Sequence, residues 1–178
     1  MKFTSVLAFV LVTLSLQSCE FSCSVGKKEE EKGTAVIKNG TRIYNDIQLT
    51  TNKVKIEKAY LVFNDGSPMA EGNLVDFTKP VNVEFAIEEG WVEENDKVML
   101  GAAEKITAED GTVIMDEKDL FSGKYEEGIS VKDAKAIALT ATIKLKKDIP
   151  PTTFTVSFRV WDKRGDGYFE GSYKLYSK

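Results

Sequence analysis

Carboxylates are the chemical groups this chain offers most densely. Asp116-Glu117-Lys118-Asp119 and Glu126-Glu127 hold acids close enough in sequence to suggest the paired carboxylates of glycoside chemistry. That chemistry needs two groups facing each other across a cleft, which adjacency along a chain does not supply, so a solvated acidic surface is expected. The loop Asp162-Lys163-Arg164-Gly165-Asp166-Gly167, with Glu170 beyond it, has the outline of a calcium loop. A helical calcium loop wants oxygen ligands at its first, third and fifth positions and a carboxylate at its twelfth. Counted from Asp162, the third residue is Arg164 and the twelfth is Tyr173. A plain turn is expected there, with no metal.

Histidine is absent. Its absence removes Ser-His-Asp and Cys-His catalysis, histidine metal ligation and the usual proton shuttle near neutral pH. No glycine-rich phosphate loop or nucleophile elbow is present. The 2 cysteines, Cys19 and Cys23, both lie near the N-terminus. They cannot staple a core, and two thiols alone cannot close a structural zinc site. No cofactor and no catalytic residue is expected. With 24 Lys+Arg against 28 Asp+Glu, net charge −4 and no long basic stretch, nucleic acid is not an expected partner.

Aromatic residues supply the remaining candidates. Trp91 stands in the acidic stretch Glu88-Glu89-Gly90-Trp91-Val92-Glu93-Glu94-Asn95-Asp96. Exposed, it could stack on a sugar or anchor a partner; folded back, it would lid one end of the domain. Trp161 and Tyr168 end two facing strands as a cross-strand pair on the face away from the core, and Tyr176 shares that face. That pair could simply stabilise the sheet edge; otherwise Trp91, Trp161, Tyr168 and Tyr176 form the candidate binding surface, with a glycan or a protein as ligand.

The strands that position Trp161 and Tyr168 can be read residue by residue. Between Phe154 and Tyr176, pairing Trp161 with Tyr168 sets Val160 opposite Phe169, Phe158 opposite Gly171, Val156 opposite Tyr173 and Phe154 opposite Leu175. That face is apolar. The other pairs Arg159 with Glu170, Ser157 with Ser172 and Thr155 with Lys174, as a wetted face should. A one-residue slip would turn the apolar set to water, so the register is strongly specified, and Phe158 can lie over the bare backbone of Gly171.

The rest of the chain repeats this pattern. Asn39-Gly40 predicts a two-residue hairpin turn. Val54 to Phe63 predicts a strand whose phase shifts partway, as at a bulge near Lys58 or where both faces are buried. Val81 to Ile87 and Ile137 to Lys146 alternate as half-buried strands; Val98 to Leu100 and Thr112 to Met115 predict shorter ones. Glu117 to Phe121 and Val131 to Ala136 predict single helical turns, the second opened by Ser130 with Asp133 three residues on. Together these predict an all-β fold, an antiparallel immunoglobulin-like β-sandwich of about seven to nine strands over residues 33–178, with a closed barrel as the alternative.

Residues 1–23 read MKFTSVLAFVLVTLSLQSCEFSC. Lys2 is followed by an apolar run from Val6 to Leu16, too short to span a bilayer, for which about twenty residues are needed. It reads as a signal peptide. The stretch Leu16-Gln17-Ser18-Cys19 resembles the lipobox of bacterial lipoproteins, with an aliphatic residue three before the cysteine and a small one just before it; Gln17 departs from the usual small or aliphatic residue. The resemblance implies that 1–18 is removed, that Cys19 carries the lipid, and that Cys23 is a bystander. Loss of Lys2 leaves 23 basic against 28 acidic residues, a net charge of −5, so acyl chains rather than charge would hold the protein to a membrane. Residues 19–32, charge-dense and poor in apolar groups, predict a flexible tether. Glu20 after the cysteine resembles the surface-export signals of Bacteroidetes-type lipoproteins, and the architecture is similar to their immunoglobulin-like members. This implies an outer-membrane lipid-anchored protein, periplasmic or surface-exposed, acting as a binding or structural module of the envelope. A hydrolase using carboxylates alone and an accessory subunit of an envelope assembly are the rival expectations.

Overall fold

The hairpin from Phe154 onward forms in the expected register. In the computed structural model, which describes residues 34–144 and 150–177, every pair from Phe154↔Leu175 to Trp161↔Tyr168 is the one the apolar pattern predicts. Cys19, Cys23 and the signal and tether segments lie outside the described residues. The strands in order are β1 (Val36–Lys38), β2 (Thr41–Ile43), β3 (Gln48–Asn52), β4 (Lys55–Phe63), β5 (Leu74–Val75), β6 (Val81–Glu89) and β7 (Glu93–Glu94). They continue with β8 (Lys97–Val98), β9 (Leu100–Ala108), β10 (Val113–Glu117), β11 (Ile129–Ser130), β12 (Ala136–Ala141), β13 (Thr153–Asp162) and β14 (Tyr168–Ser177). Among the described residues a single 3-10 turn, Asp133–Lys135, precedes β12. Among the described residues no helix is long and apolar enough to cross a membrane.

Two large sheets form a β-sandwich. One has the order β1-β2-β4-β6-β12 and the other β10-β9-β13-β14-β3, with β5 added in parallel to the end of β14; a small third sheet has the order β11-β8-β7. The strands of five residues or more, β3, β4, β6, β9, β10, β12, β13 and β14, fall within the expected number, and the short ones trim edges and corners. The core lies between the sheets. Phe85 of β6 reaches across to Phe158 of β13 and Phe169 of β14, with ring centroids 5.1 and 4.5 Å apart. Tyr173, Leu175, Ile106, Leu61 and Leu139 complete it, all buried.

Local signals explain several joins. Asn39 and Gly40 take φ 51° and 84°, the positive values that a two-residue turn between β1 and β2 demands. The phase shift in β4 is a register irregularity between Ile56 and Lys58 against β6. Ser130 Oγ accepts the Asp133 N–H (3.0 Å) and donates to Asp133 Oδ2 (2.8 Å), a local side-chain bridge at the entry to the 3-10 turn. Gly171 is required: a Cβ there would meet the ring of Phe158 at 2.9 Å and collide with the Gln48 carbonyl of β3.

Two expectations are corrected. Glu117 to Phe121 is no helical turn: Glu117 ends β10, and hydrogen-bonded turns follow from Leu120. Asp119 sets that geometry by accepting the Phe121 N–H. The short strand expected at Val98 to Leu100 is two elements, β8 and the nine-residue β9, which lies along the whole of β13. A stretch with Gly101, three alanines and two charges among its nine residues forms a strand because pairing on both sides, with β10 and β13, supplies what its propensity lacks.

Candidate functional site

The outer face of the six-stranded sheet carries two of the four aromatic candidates side by side. Alternation along β13 turns Phe154, Val156, Phe158 and Val160 inward, and therefore Arg159 and Trp161 outward. Trp161 is flanked by Tyr168 on β14 and Gly101 on β9. Its indole lies across Gly101, where a Cβ would sit within 2.8 Å of the indole nitrogen and closer still to the ring carbons. The Arg159 guanidinium stands 4.7 Å from the centre of the Tyr168 ring and 3.7 Å from Glu170 Oε2. An exposed ion pair of this kind adds little stability; it orients the guanidinium over the ring. Trp161, Tyr168 and Arg159 thus form one partly exposed platform, bordered by Asn52 and Thr50 of β3.

The other two candidates are elsewhere. Tyr176 shares the outer face but lies eight residues farther along β14, roughly 26 Å away at the usual strand rise. There it is 40% exposed beside Leu74, its partner on β5. Trp91 sits at the platform's end of the sandwich but packs inward. Its ring centroid is 6.0 Å from that of Phe169, and its indole N–H donates to the Ala134 carbonyl at 3.3 Å. Gly90 permits this path with φ 121°, because a side chain there would strike the backbone of Lys53 and Val54.

The loop 162–167 is closed by its own protein groups. Buried Asp162 accepts the Val92 N–H at Oδ2 (2.6 Å) and the Arg164 N–H at Oδ1 (2.8 Å). Lys53 pairs with Asp166 at 2.8 Å and holds its carboxyl below the usual range. Lys163 reaches Asp119 at 2.6 Å, and Arg164 reaches Glu94 at 2.8 Å. The acidic groups of the sequence are likewise drawn to separate cations, Asp116 to Lys118 (2.6 Å) and Glu127 to Lys97 (3.4 Å). Among the described residues no three acidic or sulfur groups converge as a metal site would require.

One ionisable residue escaped the sequence reading. Glu104, on β9, is 1% exposed and faces the core opposite Phe158. Neither carboxyl oxygen has a hydrogen-bond partner, and the hydroxyl of buried Tyr173 also lacks one. Burial pushes the Glu104 carboxyl up to about 7. Burial, and then the charge of Glu104, raise the Tyr173 hydroxyl well above its ordinary value. Enclosed between two sheets, Glu104 is placed to tune stability rather than to meet a substrate. The signal was the alternation Leu100, Ala102, Glu104, Ile106, Ala108, which sets Glu104 in an apolar series once β9 is recognised as a strand.

No protein-family model matches this chain, and no curated protein matches it. Among solved structures, the crystal structure of the C-terminal domain of wzt is similar at 14% identity with a TM-score of 0.45, covering 79% of this chain and 82% of that one. So distant a likeness has no bearing on function.

Proposed function

We propose that this chain is a lipid-anchored extracytoplasmic binding module of the cell envelope, with the outer face of the six-stranded sheet as its ligand face. The observation that carries the reading is the Trp161–Tyr168–Arg159 platform. Its indole is seated on Gly101 and its tyrosine ring is capped by a guanidinium, so the aromatic area is held in place before any ligand arrives. Preorganised aromatic surface with a cation at its margin suits a sugar ring or a protein side chain, since little side-chain entropy is lost on binding. Leu16-Gln17-Ser18-Cys19 supports the anchor, and the first core residue of the sandwich, Ile43, lies well downstream of Cys19, which leaves length for a tether. The hydrolase reading is less well supported, because Asp116, Asp119 and Glu127 are each paired with a different lysine.

The ligand face is tested on a glycan array and by pull-down from envelope extracts with wild-type protein and the Trp161→Ala and Tyr168→Ala variants, each checked for folding by circular dichroism. Binding that survives both substitutions would move the site off this face. The anchor is tested by membrane fractionation with metabolic acyl labelling. Cys19→Ser should release a folded, unlabelled protein, and Cys23→Ser should leave label and membrane attachment intact.

A further inference from the structure

The four strands bordering the two large sheets are not equally protected. Natural sheets guard their edges with short strands, charge, proline or bulges, because an open row of N–H and C=O groups invites another strand. β1 is three residues long and ends in Lys38. β10 is broken by a register shift between Val113 and Met115 and ends in Asp116 and Glu117. Along β3, Lys38 Nζ donates to the Leu49 carbonyl at 3.5 Å. β12 has none of these guards. Its six residues, AIALTA, are uncharged and lack proline, and its pairing with β6 runs unbroken from Ala136↔Ala86 to Ala141↔Val81. Among the described residues, no backbone group outside β6 pairs with it from Ile137 to Ala141.

Beside the start of this edge lies a groove of about 220 Å³, lined by Phe121, Tyr125, Ile129, Asp133 and residues 136–138 of β12. Phe121 and Tyr125 meet edge to face, centroids 5.3 Å apart at 82°, and Tyr125 is 46% exposed. The groove is smaller than the roughly 300–1,000 Å³ of small-molecule sites and fits one large apolar side chain.

We propose that β12 accepts an added strand from a partner protein, an extended segment with one large apolar residue seated against the Phe121–Tyr125 ring pair. Backbone pairing along the edge supplies affinity and the groove supplies selection, the division of labour of strand addition. A second copy of this chain does not fit as well. The outward residues of β12 are Ala136, Ala138 and Thr140, none large enough to fill the groove. This surface is separate from the aromatic platform and does not depend on the anchor.

The test uses full-length protein in detergent and synthetic peptides in which Thr and Val alternate around a central Phe, Leu or Ala, with binding read by fluorescence anisotropy. The Phe and Leu peptides should bind about tenfold more tightly than the Ala peptide, a difference of one buried side chain. Tyr125→Ala should erase that difference, and Ala138→Lys, which adds charge at the edge, should weaken all three peptides. Both positions are exposed, and an unchanged melting curve for each variant certifies that the domain still folds. Peptide binding unaffected by either substitution, or no binding by any peptide, would overturn the proposal. So would sedimentation showing a dimer that Ala138→Lys dissociates, which would make a second copy the occupant.

Discussion

Replacing Glu104 with Gln should remove a pH-dependent weakness from the core. The carboxyl is enclosed by apolar side chains with no hydrogen-bond partner, so its charged form is the costly one. In the unfolded chain it titrates near 4.5 and in the folded domain near 7. The folded state therefore holds the proton more tightly, and stability is lost as pH rises between those values. Below about 4.5 the carboxyl is neutral in both states and the penalty vanishes; above about 7 it is full. An interval of about 2.5 pH units at 1.36 kcal/mol each amounts to roughly 3 kcal/mol, or roughly 6–12 °C in melting temperature for a domain of this size. Urea denaturation of wild type and Glu104→Gln from pH 4.5 to 8.5 reads the effect directly. The two curves should lie close at pH 4.5, diverge through neutrality with the variant the more stable, and run parallel above pH 7.5. The lowered carboxyls of Asp65, Asp110 and Asp116 titrate on the acid side of this window and are common to both proteins, so they cancel in the difference. Parallel curves throughout, or a wild type that gains on the variant with rising pH, would show that Glu104 is hydrated or paired and refute the argument.

Other perturbations probe the remaining layers. Phe158→Asp should cost more than about 3 kcal/mol, by removing a core ring and burying a charge, while Arg159→Ala on the wet face should cost less than about 1 kcal/mol; chemical denaturation ranking them in reverse would contradict the hairpin's two faces. Gly101→Ala should lift the Trp161 indole from its seat at a cost of roughly 1–3 kcal/mol and change its fluorescence, whereas an unchanged spectrum would mean that the indole is not held there. A chelator should leave the melting temperature unchanged. A rise with calcium that disappears in Asp166→Ala would show that loop 162–167 binds the ion in place of its Lys53 contact.

Much of this fold is legible in the chain because its signals are local. Strict alternation from Phe154 to Val160 and from Phe169 to Leu175 determines which face is buried, and the register follows because a slip would reverse it. Asn39-Gly40 specifies its turn through backbone conformation alone, and the displaced phase of Val54 to Phe63 flags an irregularity near Lys58 that pairing with β6 shows to be a register shift. The pairing of Trp161 with Tyr168 on the outer face is legible for the same reason, since it follows from the hairpin register.

What only the tertiary structure decides is what depends on a neighbour far away in sequence. β9 is a strand because β10 and β13 pair with it on either side, not because Gly101-Ala102-Ala103 prefers one. Glu104 becomes a buried, unpartnered acid only once that strand is placed against Phe158. Trp161 and Tyr168 become a platform because Gly101 of another strand leaves room for the indole, while Trp91 turns inward to Phe169 and Tyr176 is carried to the far end by the length of β14. Sequence alone determined the inner and outer faces of the alternating strands β6, β12, β13 and β14, because alternation is a property of one segment. Which faces meet, which edges stay open and which polar groups are enclosed are properties of pairs, and packing decides them.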